Sequence, residues 1–249
     1  MDEKEIVYIF VSHTHADLPK VRRVRDYLES LGTEPILFYL KSLTDKDKIT
    51  RLIEDEIDAR IWFVYCRSEL AEESNWVRTE LEYVANTGKD NQLTIDLETA
   101  FDKKGELTQE VKLKCRRMLY KIRGVRNVFC SFAHRDAPVV ERVVSYLQQY
   151  DIALYYEKPT FDTGCFAGHV DQVLRESQFF LLFDSDAAEN SSFVEREKRR
   201  AEQLKKAFIV VRLSDGDARV FGREDFIFDC RDFDRSCLRL VYYLFDRLS

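Results

Sequence analysis

The sequence predicts two consecutive α/β domains, each with a mainly parallel β-sheet that carries helices on both faces. Two observations lead to this prediction: the chain contains an internal repeat, and its continuous apolar strands alternate with segments of helical periodicity. The length of 249 residues allows either one α/β barrel or two domains, and the repeat favours the second. A hydrophobic content of 45% with only eight Gly and four Pro is typical of a folded, globular protein.

Each copy of the repeat begins with an apolar strand that leads into the motif Ser-x-x-His-x-Asp. The strands are predicted at residues 6–11 and 128–130. The motif residues are Ser12, His15 and Asp17 in the first copy and Ser131, His134 and Asp136 in the second. A helix with one buried face follows in both copies, because apolar residues recur every three or four positions. These apolar residues are Val21, Val24, Leu28 and Leu31 in the first copy and Val140, Val143, Val144 and Leu147 in the second.

The remaining elements also recur in the same order. Further apolar strands are predicted at 35–39, 61–65 and 93–97 in the first copy and at 152–156, 179–183 and 208–213 in the second. A stretch of helix formers at 106–123 closes the first copy, and Gly124 suits the end of a helix. Because no flexible linker separates the copies, we expect domains at 1–123 and 124–249 that pack together.

A second polar motif follows the third strand of each copy. Its shared residues are Ser74, Trp76, Val77 and Glu80 in the first copy and Ser191, Phe193, Val194 and Glu197 in the second. With the flavodoxin-like strand order 2-1-3-4-5, ligands bind in the crevice between the carboxyl ends of strands 1 and 3. Both polar motifs of a copy are therefore expected to meet at one site.

The spacing within this motif suggests a chemistry for the site. Ser74 is a candidate N-cap, which would place Trp76 and Glu80 on one face of the helix that it starts. A carboxylate beside an apolar wall could bind sugar hydroxyls and stabilise positive charge at an anomeric carbon, as glycosidic-bond cleavage requires. The alternative is that Glu80 is a solvated helix residue, Trp76 a core residue and Ser74 only a cap.

Composition argues against several other classes of function. With 39 Lys and Arg against 45 Asp and Glu, the net charge of −6 does not favour nucleic-acid binding. We expect neither a membrane span nor a signal peptide, and six cysteines without a CxxC pair suit a cytoplasmic protein. His13 and His15 alone are weak evidence for a metal, so no metal site is predicted. Neither GxGxxG nor Gly-Lys-Ser/Thr occurs, which disfavours Rossmann and phosphate-loop nucleotide sites.

The Ser-x-x-His-x-Asp motif and the later Ser-x-Trp-Val-x-x-Glu-Leu together resemble the Toll/interleukin-1 receptor (TIR) domain family, here as a tandem pair. The resemblance implies a flavodoxin-like fold and extends to bacterial NAD-consuming TIR proteins of antiphage defence (Thoeris-like). Such proteins cleave the bond between nicotinamide and ribose. NAD is then the substrate, no cofactor is needed, and the product is a nucleotide signal for a separate effector protein.

The resemblance also assigns roles to individual residues. It implies Glu80 and Glu197 as catalytic residues. The implied substrate-binding residues are Ser12, His13, Asp17, Trp76, Ser131, Phe132 and Asp136. Phe132 would stack on a ring of the dinucleotide. Self-assembly through other TIR domains is expected, and two alternatives stay open: a non-catalytic adaptor that signals by TIR–TIR assembly, and a sensor that binds NAD without turnover.

The two copies depart from the family pattern in different ways. The first keeps Trp76 and Leu81 but has no Gly or Pro at 41–48, where the family often has a flexible interaction loop. The second has such a loop, with Pro159, Gly164 and Gly168, but it replaces the tryptophan with Phe193 and follows Glu197 with three basic residues. These differences favour Glu80 over Glu197. The basic cluster at 198–200, continued at 205–206, is interpreted as a solvated helix face, with an anion-binding or partner-binding role as the alternative.

Overall fold

The structure is a computed structural model that describes residues 6–37, 46–156, 166–214 and 226–248. The chain divides into two compact units, Met1–Ile122 and Arg123–Ser249. The predicted strand at 35–39 and the loops at 41–48 and around Pro159 lie partly or wholly outside the described residues.

The first unit is built on a parallel sheet with the strand order β2-β1-β3-β4. A single turn of 3-10 helix, His15–Asp17, follows β1. The strands and helices are β1 (Val7–Ser12), α1 (Leu18–Ser30), β2 (Thr33–Leu37), α2 (Lys46–Asp58), β3 (Trp62–Arg67), α3 (Glu69–Glu73), α4 (Asn75–Thr87), β4 (Gln92–Asp96) and α5 (Gln109–Ile122).

The second unit repeats this plan and adds a strand, giving the order β6-β5-β7-β8-β9 with every neighbouring pair parallel. Its 3-10 turns are His134–Asp136 and Cys230–Asp232. The strands and helices are β5 (Val128–Ser131), α6 (Ala137–Gln148), β6 (Leu154–Tyr156), α7 (Phe166–Glu176), β7 (Phe179–Asp184), α8 (Asp186–Glu189), α9 (Ser192–Gln203), β8 (Ala207–Ser214), β9 (Phe226–Asp229) and α10 (Phe233–Leu248). The predicted order 2-1-3-4-5 is confirmed for this unit.

For the first unit, the prediction of a fifth strand is wrong, because the described residues of this unit form a sheet of four strands. After β4 the chain makes a turn, closed by a single antiparallel bridge between Phe101 and Leu107, and then enters α5. The turn passes through Gly105, whose φ of +77° favours glycine. The corresponding part of the second unit has Phe226 and Phe228 buried on alternate positions of β9, whereas the first unit has a polar turn that cannot bury a strand face.

Both faces of the first sheet are covered by helices, as the continuous apolar strands predicted. Ile9 and Val11 of β1 pack with the apolar residues of α1 and α5. Phe10, between them, faces α2 and α4 and stacks on Phe63 of β3 with ring centroids 5.6 Å apart. Successive side chains of a strand point to opposite faces, so a strand buried on both sides is apolar at every position.

The helices that carry the two candidate glutamates begin at serine N-caps. Ser74 accepts a hydrogen bond from the backbone N–H of Val77 at 3.4 Å, which confirms the predicted cap of α4. Ser191 accepts one from Val194 at the same distance and starts α9 in the same way. Each cap satisfies a backbone donor that the first helical turn leaves unpaired and thereby fixes where the helix begins.

Candidate functional site

Glu80 is buried at the carboxyl edge of the first sheet. It shares the inward face of α4 with Val77 and Val84, three and four residues away, and is 8% exposed. Ser12, the last residue of β1, donates a hydrogen bond from Oγ to Glu80 Oε2 at 2.5 Å. The predicted convergence of the two polar motifs thus takes place, because Ser12 belongs to the first motif and Glu80 to the second.

Burial controls the ionisation of Glu80. Removal of the carboxyl group from water raises the pKa of Glu80 from 4.5 to about 7, and the hydrogen bond from Ser12 opposes this rise. Near neutral pH, Glu80 therefore exchanges between a protonated and an ionised form. A carboxyl group with a pKa near the working pH can hold charge or transfer a proton, which is a common property of functional sites.

The second unit contains the same pair. Ser131, at the end of β5, donates from Oγ to Glu197 Oε2 at 2.6 Å, and Glu197 is 6% exposed on the inward face of α9. Ser12 and Ser131 were predicted to bind substrate. The structure shows that each serine hydroxyl donates to the glutamate of its own unit and thereby orients that carboxylate.

Two serines that the sequence analysis missed hold the motif aspartates. Ser68, the N-cap of α3, donates from Oγ to Asp17 Oδ2 and accepts from the backbone N–H of Ala71. Ser185, the N-cap of α8, donates to Asp136 Oδ2 at 2.5 Å. The signal was available, because both serines stand directly after the third strand of their copy. Through these contacts, the aspartates tie the loop after strand 1 to the helix after strand 3.

A cavity of about 170 Å3 lies beside Glu197. Its apolar wall contains Phe193, Val170 and Leu174, and the rest of its lining is Asp171, Arg196, Glu197 and Arg200. An aromatic residue thus lines the cavity beside Glu197, whereas the aromatic wall was predicted at Trp76 beside Glu80. Trp76, the counterpart of Phe193 in the first copy, is 43% exposed.

The family model described as TIR domain matches residues 9–117 and again residues 128–241. These two matches span most of the chain and coincide with the two units that each carry a buried Ser–Glu pair. The chain belongs to the TIR domain family. It is a tandem TIR protein, with one TIR domain in each unit. No curated protein matches the sequence.

Solved structures of other proteins align with almost the whole chain at low similarity. The NAD+-bound 3-phosphoglycerate dehydrogenase of Entamoeba histolytica is 10% identical over 98% of this chain and 94% of that chain, with a TM-score of 0.25. An aspartate transcarbamoylase of Trypanosoma cruzi is 10% identical over 98% of this chain and 82% of its own, with a TM-score of 0.26. TM-scores this low support no conclusion about the fold or the function of the tandem TIR protein.

A larger cavity, of about 440 Å3, lies at the carboxyl ends of β7 and β8 in the second TIR domain and includes Asp136 and Ser185 in its lining. An ion pair between Asp184 and Arg212 at 2.8 Å also borders it. The first TIR domain has the equivalent pair with the charges exchanged, since Arg67 on β3 contacts Asp96 on β4 at 2.8 Å. The pairing of these strand ends is therefore kept while its polarity is reversed.

Two other residues that were predicted to bind substrate, His13 and Phe132, are partly or fully buried in their TIR domains. His13 Nδ1 donates to the carbonyl of Val11 at 2.9 Å, and burial lowers the pKa of His13. Phe132 is only 3% exposed and packs against Tyr156 with ring centroids 6.1 Å apart, so little of its ring can contact a ligand in this conformation.

Within the described residues, no group of three His, Cys, Asp or Glu side chains is arranged to hold a metal ion. None of the helices in that part of the chain is long and apolar enough to span a bilayer.

Proposed function

We propose that the tandem TIR protein is an NAD nucleosidase that breaks the bond between nicotinamide and ribose. The observation that carries the proposal is the buried glutamate at the carboxyl edge of each sheet, held by the serine that ends the first strand: Ser12 with Glu80 and Ser131 with Glu197. A carboxylate in surroundings of low polarity interacts with nearby positive charge more strongly than one in water. The pair is therefore suited to a reaction that develops positive charge on a sugar.

Cleavage of NAD is such a reaction. The carbon–nitrogen bond breaks, its electron pair stays on the ring nitrogen, and nicotinamide leaves as a neutral molecule. The ribose carbon becomes oxocarbenium-like, and an ionised glutamate beside it lowers the energy of that state while accepting hydrogen bonds from the ribose hydroxyls. Addition of water then gives ADP-ribose and a proton, whereas attack by a nucleophilic atom of the same ligand gives a cyclic product.

The serine has a positioning role in this mechanism. Its hydroxyl donates to one oxygen of the carboxylate, which favours the ionised form and leaves the second oxygen for the substrate. Because the pKa of Glu80 is about 7, the ionised fraction rises as the pH passes through neutrality. Release of nicotinamide by the first TIR domain should rise over the same pH range.

Both glutamates are candidates for the working carboxylate. Trp76 and Leu81 of the sequence motif favour Glu80, while the cavity beside Glu197 supports the second TIR domain. By resemblance to bacterial TIR proteins of antiphage defence, the proposal extends to a cytoplasmic nucleotide signal received by a separate effector protein. This extension rests on the resemblance and not on the geometry of the site.

The test is product analysis with matched glutamine variants. Concentrated protein is incubated with NAD, and nicotinamide and the second product are measured by chromatography and mass spectrometry. Glu80→Gln, Glu197→Gln and the double variant are compared with Glu82→Gln and Glu195→Gln, which change exposed glutamates on the same helices. We expect one site variant to lose about 100-fold or more in rate, as for removal of a preorganised electrostatic group. Equal release from the double variant, or none from any form at high concentration, would contradict the proposal.

An adaptor function is a second candidate, favoured by exposed apolar residues on consecutive helices of the first TIR domain. Leu70 on α3 and Trp76 on α4 are both exposed, and exposed apolar side chains are common where proteins associate. Light scattering of concentrated protein tests this function. An adaptor predicts that Trp76→Ser lowers the association state while the double glutamine variant keeps it.

A further inference from the structure

The arginines of α9 divide into two groups by their contacts, although they lie close together in the sequence. Arg199 points away from the site and pairs with Glu195 one turn earlier at 2.7 Å. Arg196 and Arg200, four residues apart, both line the cavity beside Glu197. The basic cluster at 198–200 is therefore only partly a solvated helix face, because its member Arg200 lines the cavity together with Arg196.

The two cavity arginines are held in different ways. Arg200 is bound through Nε to Oδ1 of Asp171, whose Oδ2 accepts from Arg175 at 2.8 Å. These two arginines lower the pKa of Asp171 to about 2, so its carboxylate stays ionised and offsets the charge of Arg200. Arg196 instead lies over the ring of Phe193, 6.0 Å from the centroid, and is exposed. An aromatic ring holds a guanidinium in place without neutralising its charge.

The first TIR domain has no arginine at either of these helix positions. The residues equivalent to Arg196 and Arg200 are Thr79 and Tyr83, counted from the glutamate on each helix. Tyr83 donates a hydrogen bond from its hydroxyl to Asp58 of α2 at 2.7 Å. A neutral tyrosine therefore makes the contact to an aspartate that Arg200 makes in the second TIR domain. The site around Glu197 is thus more positive than the site around Glu80.

The size of the cavity indicates which part of a dinucleotide Arg196 would meet. A volume of about 170 Å3 is well below the roughly 300–1,000 Å3 of pockets that enclose a whole drug-sized ligand. The cavity can hold one aromatic ring against Phe193 beside Glu197, and the rest of the ligand must leave through the mouth. In a dinucleotide, the group that follows the first ribose is a diphosphate.

We propose that Arg196 binds the diphosphate of a dinucleotide at the mouth of the Glu197 cavity, and that this contact gives the second TIR domain its affinity for dinucleotides. The proposal rests on the proposed function, because it places the nicotinamide end beside Glu197. Guanidinium groups bind phosphate oxygens through short charge-assisted hydrogen bonds. Arg200, already paired with Asp171, keeps the wall of the cavity in place.

The experiment measures binding and does not depend on turnover. Isothermal titration calorimetry is done on the full chain carrying Glu80→Gln and Glu197→Gln, with NAD and with nicotinamide riboside, which has the same ring and ribose but no phosphate. Arg196→Thr introduces the residue of the first TIR domain, and Arg199→Thr is the matched control on the solvent side of the helix. We expect Arg196→Thr to weaken NAD binding about 10-fold or more, while nicotinamide riboside binding and the control stay within about 2-fold.

Three results would overturn the proposal: unchanged NAD affinity in Arg196→Thr, an equal loss for both ligands, or no measurable NAD binding to the chain. Its failure can be distinguished from failure of the proposed function. Arginine-dependent NAD binding without nicotinamide release by the unsubstituted protein would refute NAD cleavage and support the diphosphate contact. Nicotinamide release, together with an NAD affinity that Arg196→Thr leaves unchanged, would support NAD cleavage and refute the diphosphate contact.

Discussion

Replacing Glu80 with Gln removes a buried ionisable group but keeps its size and an oxygen that can accept the hydrogen bond from Ser12. Folding raises the pKa of Glu80 from 4.5 to about 7. A carboxyl group with a raised pKa favours the folded state while it is protonated, and this contribution is lost as the pH rises from 4.5 through about 7. At about 1.36 kcal/mol per pKa unit, the loss amounts to about 3 kcal/mol at about pH 8 and less than about 1 kcal/mol at about pH 5.

The assay is urea denaturation of the full chain at these two pH values, followed by tryptophan fluorescence. Both tryptophans, Trp62 and Trp76, lie in the first TIR domain, so the signal reports on the unfolding of that domain. We expect Glu80→Gln to raise the free energy of unfolding by about 2–3 kcal/mol at about pH 8 and to change it little at about pH 5. Glu82→Gln, on the exposed side of the same helix, serves as the control and should have the same small effect at both pH values.

The reasoning is refuted if Glu80→Gln destabilises the first TIR domain at about pH 8, or if it changes stability equally at both pH values. Either result would mean that ionisation of Glu80 is not the unfavourable step that its burial implies. A confirmed gain would show that the protein keeps a carboxylate at this position at the expense of stability, as is common for functional residues.

Three further substitutions test the site and its support. Ser12→Ala should raise the pKa of Glu80 above about 7, because the lost hydrogen bond favoured the ionised form; carbon-13 NMR of labelled glutamate measures this titration. Ser68→Ala should lower the free energy of unfolding by about 1–3 kcal/mol, because it leaves the buried carboxylate of Asp17 without its donor; urea denaturation measures the loss. Gly88→Ala should cost about 1 kcal/mol in the same measurement, because Gly88 ends α4 at φ +64° with open space around it, so that only backbone strain opposes the methyl group.

One control serves the two serine substitutions. Ser30→Ala changes an exposed serine at the end of α1 and should alter neither the titration of Glu80 nor the stability by more than about 0.5 kcal/mol. An unchanged or lower pKa of Glu80 in Ser12→Ala would contradict the assignment of that hydrogen bond. Wild-type stability of Ser68→Ala or Gly88→Ala would show that the contact, or the strain, carries no energy.

The sequence alone determined the fold class and most of its elements. Strand β3 was predicted at 61–65 and lies at Trp62–Arg67, and the strand order of the second TIR domain was predicted although its fifth strand, Phe226–Asp229, was not located. The cap at Ser74 and the internal repeat were also visible in the sequence. These features depend on local patterns: residue spacing reports which face of an element is buried, and a cap residue bonds to its own helix.

Only the tertiary structure decided which side chains meet at the site and how far they are exposed. Ser12 and Glu80 are 68 residues apart in the chain, and spacing placed them at one sheet edge without showing that the hydroxyl donates to the carboxylate. The exposure of Trp76, the burial of Phe132 and the lack of a fifth strand among the described residues of the first unit were likewise not visible in the sequence. The physical reason is that periodicity fixes the direction of a side chain relative to its own element. Its neighbours depend on the register of strands and the placement of helices, which long-range packing sets.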